Sequence, residues 1–353
     1  MLLFGALSGC AVLHDDTAET REPVVLEEPP IVSDRFVLQS ADQQLIGTLQ
    51  VIKAAEQDTF VDIARTYNLG FDELVQANPD VDPWLPGEGT RVLLPTRFIL
   101  PGDVREGIVL NLASKRLFYY LPPNEEGLRA VVTHPIGIGR SGWATPEGGT
   151  EVISKGRDPV WYVPASIRRE HAAAGNPLPA EVPPGPDNPL GRYVLILAMP
   201  SYLIHGTNKP AGVGMRVSHG CIRLFPEDIE HLYKAAPVGV AVTIINQPRL
   251  LAWQDGSLYV EVHPALEDDE RDWSQRFPEM LDAVLQSAPN GYANPDLERI
   301  NAIIAAGQGI PLPVLNSDPD TARVLSAATL VHNLVVVPEV EREPEPLAYE
   351  ARD

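Results

Sequence analysis

The stretch His205-Gly206-Thr207-Asn208-Lys209-Pro210-Ala211-Gly212-Val213-Gly214-Met215-Arg216-Val217-Ser218-His219-Gly220-Cys221-Ile222-Arg223-Leu224 brings two histidines and one cysteine onto a single glycine-rich loop. A free thiol titrates near 8.5, and a neighbouring histidine either lowers that value or takes the proton as the thiol attacks. Glycines at 206, 212, 214 and 220 permit positive φ and close substrate approach, and tightly turned backbone can present amides to an oxyanion. The residue types therefore point to a thiol nucleophile. The competing readings are a buried inert cysteine and a zinc site. No Cys-x-x-Cys or His-Glu-x-x-His spacing occurs, so no metal is expected, and the lack of Gly-x-Ser-x-Gly and Walker patterns argues against serine hydrolase and nucleotide chemistry.

Outward from this loop the chain reads as mostly β. Gly107–Leu112, Arg116–Tyr120 and Ala130–Thr133 are short, rich in β-branched or aromatic residues and separated by turn residues, and further strands are expected at Tyr193–Ala198, Tyr202–Ile204 and Val240–Ile245. One short helix is well signalled after the loop. Pro226 suits the first helical position, Glu227 and Asp228 complement the positive end of the dipole, and Ile229, Leu232 and Tyr233 share a face.

His205-Gly206-Thr207 and Ser218-His219-Gly220-Cys221-Ile222-Arg223 together resemble the signature of L,D-transpeptidases with the YkuD fold, and more closely the periplasmic ErfK/YbiS-like group. Thr145-Pro146 with Gly148-Gly149, Pro159-Val160-Trp161 with Pro164-Ala165-Ser166-Ile167, and Gly185 to Arg192 follow in the family's order, so the resemblance covers residues 104–246. It implies a β-sandwich catalytic domain in which Cys221 is the nucleophile and His205 the general base, oriented by the carbonyl of Gly206. It further implies that His219, Gly220 and Cys221 shape an oxyanion hole, the latter two through their backbone N–H groups, and that Ser218 buttresses the turn. Arg223, with Arg216, is expected to pair with a substrate carboxylate, since guanidinium suits bidentate carboxylate contacts; an outward structural role is the alternative. The implied reaction is attack on a peptidoglycan tetrapeptide stem, release of D-alanine and transfer of the thioester to an amine, with no cofactor. That amine belongs to a second stem, giving a 3-3 crosslink, or to an outer-membrane lipoprotein. Hydrolysis of the same substrates by a carboxypeptidase or amidase, and a non-catalytic wall-binding lipoprotein, are the rival readings. Carbapenem acylation of Cys221 is also implied.

Before the catalytic segment, Asp58-Thr59-Phe60 leads into apolar residues at helical spacing, Ile63, Ala64 and Tyr67, and Leu74-Val75 repeats the pattern in a second short helix. Gly87 and Gly89 then turn the chain into Val92-Leu93-Leu94. This order, with Asn78-Pro79, resembles a LysM module, which implies a βααβ fold over 46–97 and a glycan ligand containing N-acetylglucosamine. The first ten residues end Leu7-Ser8-Gly9-Cys10, which resembles a lipoprotein signal segment with Cys10 as the lipidated residue. That implies a periplasmic enzyme tethered to the outer membrane by lipid alone. Residues 11–45 read as a flexible acidic, proline-rich linker. After the catalytic domain, 247–337 form a mixed α/β extension, with a strand at Leu258–Val262 and helices at Pro278–Ala288 and Pro295–Ala306, and 338–353 an acidic tail.

The 353 residues carry a formal charge of −21, against nucleic-acid binding through a basic surface. Between Val104 and Asn246, however, 14 Lys and Arg face 12 Asp and Glu, so the acidity lies outside the catalytic segment. The remaining histidines, His14, His134, His171, His231, His263 and His332, have no partner nearby in sequence and are expected in loops or on surfaces.

Overall fold

A computed structural model describes residues 34–102, 104–289, 291 and 293–336. Cys10, the 1–10 signal segment and the 338–353 tail lie outside these residues, as does most of the expected linker. The part of the linker that is described is ordered. Arg35–Val37 forms a strand, β1, paired antiparallel with Ala130–Val132, and Leu45–Gly47 pairs with Arg97–Ile99.

The catalytic segment adds eight strands to β1. In chain order they are β2 (Gly107–Asn111), β3 (Arg116–Tyr120), β4 (Ala130–Pro135), β5 (Gly148–Arg157), β6 (Tyr193–Leu197), β7 (Leu203–His205), β8 (Ile222–Arg223) and β9 (Ala241–Ile245). Hydrogen bonding links them in the order β1-β4-β3-β2-β9-β5-β6-β7-β8. The long β5 folds this ladder into two halves. Its residues Gly148–Glu151 pair with β9, whereas Val152–Arg157 pair with β6, and the register slips between Val152 and Ser154. Such bulged strands make the corners of sandwiches. Both halves contribute to one core: Ile108, Leu117 and Val132 from one meet Leu195, Ile204 and Ile222 from the other. The helix α4 (Pro226–Ala235) closes it with Ile229 and Leu232. Each such buried side chain stabilises the fold by about 1.5–3 kcal/mol.

Strands β2 to β4 are buried on both faces, and the strand period of two sorts their side chains. Ile108, Leu117, Tyr119 and Val132 enter the first core, while Val109, Phe118, Tyr120 and Val131 enter a second. That second core is completed by the N-terminal βααβ unit: Gln50–Lys53 and Arg91–Leu94 pair antiparallel around α1 (Phe60–Thr66) and α2 (Phe71–Ala77). Thr59 caps α1 by accepting from the Asp62 amide at 3.3 Å. Glu73 of α2 accepts from the Gly70 amide at 2.6 Å and from both Nε and Nη2 of Arg116 at 2.7 Å. Arg116 is 1% exposed, so this ion pair is buried between the unit and the sheet and ties the two together.

The C-terminal extension packs on the far side of the same unit. Leu49, Val51 and Leu93 share a third core with Phe277 and Leu281 of α5 (Trp273–Gln286) and Ile300 and Ile303 of α6 (Leu297–Ala306). Thr329–Leu330 then adds a parallel strand beside Gln50–Val51. The helix α5 starts five residues before the expected Pro278, because Asp272 caps it by accepting from the Ser274 amide and the proline is absorbed inside. The extension opens with a hairpin, Arg249–Gln254 against Ser257–Val262, of which only the second strand was expected. Asp255 and Gly256, both at positive φ, form its two-residue turn.

Candidate active site

Cys221 and His205 reach the same face through the parallel pairing of β7 with β8. Ile204 lies opposite Ile222 and His205 opposite Arg223, with Cys221 one step before β8. Alternation sends Ile204 and Ile222 into the core and places Leu203, His205, Cys221 and Arg223 on the other side. The thiol is half-buried and donates to the carbonyl of Ser201 at 3.7 Å. Ser201 itself holds φ of +71°, a conformation that non-glycine residues seldom adopt and that clusters at functional sites.

The imidazole of His205 is 4% exposed, and its Nδ1 lies 2.6 Å from the carbonyl of Gly206. That contact places the proton on Nδ1 and leaves Nε2 as the acceptor. Burial, reinforced by the charge of Arg223, pushes its pKa down to about 4 against the pull of the Gly206 and Leu190 carbonyls. Burial pushes the Cys221 thiol up, opposed by the Leu203 amide and by Arg223. Both groups are thus neutral at rest, the thiol and the imidazole lying on one face of β7 and β8.

The turn that delivers Cys221 is tied from inside. Ser218 Oγ donates to the Cys221 carbonyl at 2.6 Å and accepts from the Gly220 amide at 3.1 Å. Thr145 Oγ1 donates to the Gly220 carbonyl at 2.8 Å. Gly220 has φ of +101°, and a Cβ there would stand 3.0 Å from the Tyr202 ring, so the position demands glycine. Ser218 Oγ thus bridges the two ends of the turn, and one expectation is corrected: the Gly220 amide points inward to Ser218 and is not available to an oxyanion.

His219 sits in a different setting. Its Nε2 lies 3.2 Å from Arg140 Nη2 and 3.3 Å from Glu170 Oε2, Arg140 also pairs with Glu170, and the Trp143 ring meets the imidazole edge to face at 4.9 Å. Burial and Arg140 lower the His219 pKa while Glu170 raises it. Sequence reasoning missed Arg140, Trp143 and Glu170. Glu170 lies on α3 (Ala165–Ala173), whose run Arg168-Arg169-Glu170-His171 was the available signal of a polar helix near the site.

The two arginines separate. Arg223 pairs with His205 across the strands, its charge acts on both the thiol and the imidazole, and its Nε is buried with no hydrogen-bond partner among the described residues. Arg216 is engaged by the protein itself: its Nη2 makes two 2.9 Å bonds to Asp268 of the extension and its Nε reaches the Gly139 carbonyl at 3.1 Å. The expectation that Arg216 serves a substrate carboxylate is therefore revised. Two other histidines also depart from expectation. His134 on β4 and His263 are buried, His263 with Nε2 2.7 Å from Glu261 Oε1. Among the described residues no helix is long and apolar enough to cross a membrane.

Residues 105–244, which contain the whole site, match the model of the YkuD L,D-transpeptidase catalytic domain. The chain is 37% identical over 290 residues to the probable L,D-transpeptidase ErfK/SrfK of Salmonella typhimurium, covering 80% of this chain and 92% of that protein. It is 40% identical over 270 residues to the probable L,D-transpeptidase YbiS of Escherichia coli K12, covering 75% and 86%. To the probable L,D-transpeptidase YcfS of the same strain it is 39% identical over 292 residues, covering 81% and 89%.

Proposed function

Because the chain belongs to the ErfK/YbiS-like family of L,D-transpeptidases with a YkuD catalytic domain, we propose that Cys221 and His205 perform its acyl transfer on peptidoglycan tetrapeptide stems. Cys221 Sγ attacks the carbonyl carbon joining the L-centre of diaminopimelate to the terminal D-alanine. As the S–C bond forms, the thiol proton moves to Nε2 of His205. The carbonyl electrons shift to oxygen, which the amides of His219 and Cys221 stabilise, with the His219 ring shaping the wall beside it. Collapse breaks the C–N bond, His205 returns its proton to the leaving amine, and D-alanine departs from a thioester.

An amine then attacks the thioester, frees the thiol and completes the transfer. The side-chain amine of a second diaminopimelate gives a 3-3 crosslink, whereas a lysine of an outer-membrane lipoprotein anchors that protein to the wall. The buried Nε of Arg223, without a partner among the described residues, supports a role in holding a substrate carboxylate beside the thiol. The N-terminal βααβ unit serves as a LysM module for the glycan strand, and lipidation of Cys10 tethers the enzyme at the outer membrane on its periplasmic side.

The observation that carries this reading is the common face of Cys221 and a buried, neutral His205. It is tested by mass spectrometry of muropeptides after incubating disaccharide-tetrapeptide with the protein and with its Cys221→Ala variant. Cys221-dependent loss of D-alanine with dimer formation supports crosslinking. Cys221-dependent trimming without dimers, unchanged by an added lipoprotein acceptor, would replace transfer by hydrolysis. Identical products from both proteins would remove Cys221 from the chemistry.

A further inference from the structure

Three segments distant in sequence meet where β1, β4 and α4 come together. Asp34 immediately precedes β1, His134 lies in β4 and His231 in α4, and one ligating atom from each falls within 4.8 Å of the other two. His134 is fully buried. Its Nδ1 lies 3.0 Å from Asp228 Oδ1, yet neither ring nitrogen has a hydrogen-bond partner among the described residues, nor does the buried Oδ2 of Asp228. Buried polar atoms left without hydrogen bonds are costly, so a group of them in one place calls for a binding partner. Facing His134, the His231 ring approaches edge to face at 6.1 Å, and its Nδ1 lies 3.2 Å from Asp34 Oδ2.

We propose that Asp34, His134 and His231 form a site for a divalent transition-metal ion, Zn²⁺ being the cation their donors suit, with Asp228 orienting His134 from behind. Two imidazole nitrogens and one carboxylate oxygen are a zinc donor set, with bonds of roughly 2.0–2.2 Å and a fourth position for water. A carboxylate behind a ligating histidine fixes its tautomer and raises its basicity. His134 is held by the core, while the half-exposed side chains of His231 and Asp34 can rotate the short distance that closes the triangle. The backbone at Asp34 is anchored, since its carbonyl accepts from the Thr133 amide at 2.7 Å. The ion would staple β1, where the chain enters the fold, to the catalytic domain. The site uses no residue of the thiol centre. It was invisible to motif spacing because its ligands come from three separate segments.

The test is calorimetric titration of Zn²⁺ into the full chain carrying Cys221→Ser, which removes the competing catalytic thiol, alongside the same protein with His231→Ala or with Asp34→Ala. Both substitutions remove partly exposed side chains, so folding is preserved and is checked by circular dichroism. One equivalent of Zn²⁺ is expected to bind and to raise Tm, with affinity falling about tenfold or more in either variant. Co²⁺ in the same site is expected to show the intense visible absorption of tetrahedral coordination. Zn²⁺ affinity and Tm shift that are absent, or that are unchanged by both substitutions, would overturn the proposal.

Discussion

Cys221 is flanked by two histidines in opposite environments. His205, at the end of β7, is sealed from solvent and touches backbone carbonyls, so its charge state is set by burial. His219, in the turn before Cys221, is partly exposed and lies among the charged side chains of Arg140 and Glu170 and the Trp143 ring. The difference supports the separate roles proposed for them. A base that accepts a thiol proton must stay neutral at working pH and keep one nitrogen free, which the Gly206 carbonyl secures for His205. A group already engaged by an arginine and a carboxylate is poorly placed to shuttle protons and better placed to shape the substrate-facing wall.

The largest expected effect follows directly. His205→Ala is expected to lower kcat by about 10²–10⁴-fold, whereas His219→Ala costs roughly tenfold, expressed more in KM. Equal losses in D-alanine release assays would erase the distinction.

The pH profile sharpens it. Activity that depends on neutral His205 falls as pH drops through about 4, and this acid limb stays in place in the His219→Ala variant. Because burial raises the thiol pKa, alkylation of Cys221 by iodoacetamide is expected to climb tenfold per pH unit through neutrality. A plateau from pH 6 upward would instead reveal a preformed thiolate–imidazolium pair.

Stability offers a third separation. An unfolded His205 takes up a proton near pH 6.5, but the folded one resists until about pH 4, so its contribution is fully present above 6.5 and is lost as pH falls between these values. The loss amounts to roughly 3 kcal/mol. Denaturant titrations at pH 7 and pH 4.5 are expected to show less acid destabilisation in His205→Gln than in the parent protein.

The smallest effect concerns the wall around His219. Glu170→Gln removes the charge paired with Arg140 and is expected to raise KM by about threefold with kcat unchanged. A large fall in kcat would move Glu170 into the proton-transfer machinery.

The candidate loop was legible because it is local: His205, Ser218, His219 and Cys221 occupy one stretch, and the pairing of β7 with β8 brings its ends together. Strands β2, β3, β4, β6, β7 and β9 were legible from their β-branched and aromatic runs. What escaped was set by long-range packing. Strand β5 is mostly exposed and polar, so it lacks the apolar alternation that announces a strand. All six residues of β4 are buried, and burial on both faces erases the pattern that would have marked His134 as interior. Arg35–Val37 is too short to stand out from the proline-rich segment before it. Arg140 and Glu170 reach His219 from other segments, a proximity that no spacing within the loop encodes.

The central claim, that Cys221 is acylated with His205 as its base, is tested most directly by intact-protein mass spectrometry during turnover of a purified tetrapeptide stem. The account predicts a Cys221-linked adduct equal to the stem less D-alanine, accumulating slowly in His205→Ala, nearly as in the parent in His219→Ala, and absent in Cys221→Ala. An adduct that survives Cys221→Ala, or D-alanine release that continues in that variant, would contradict it.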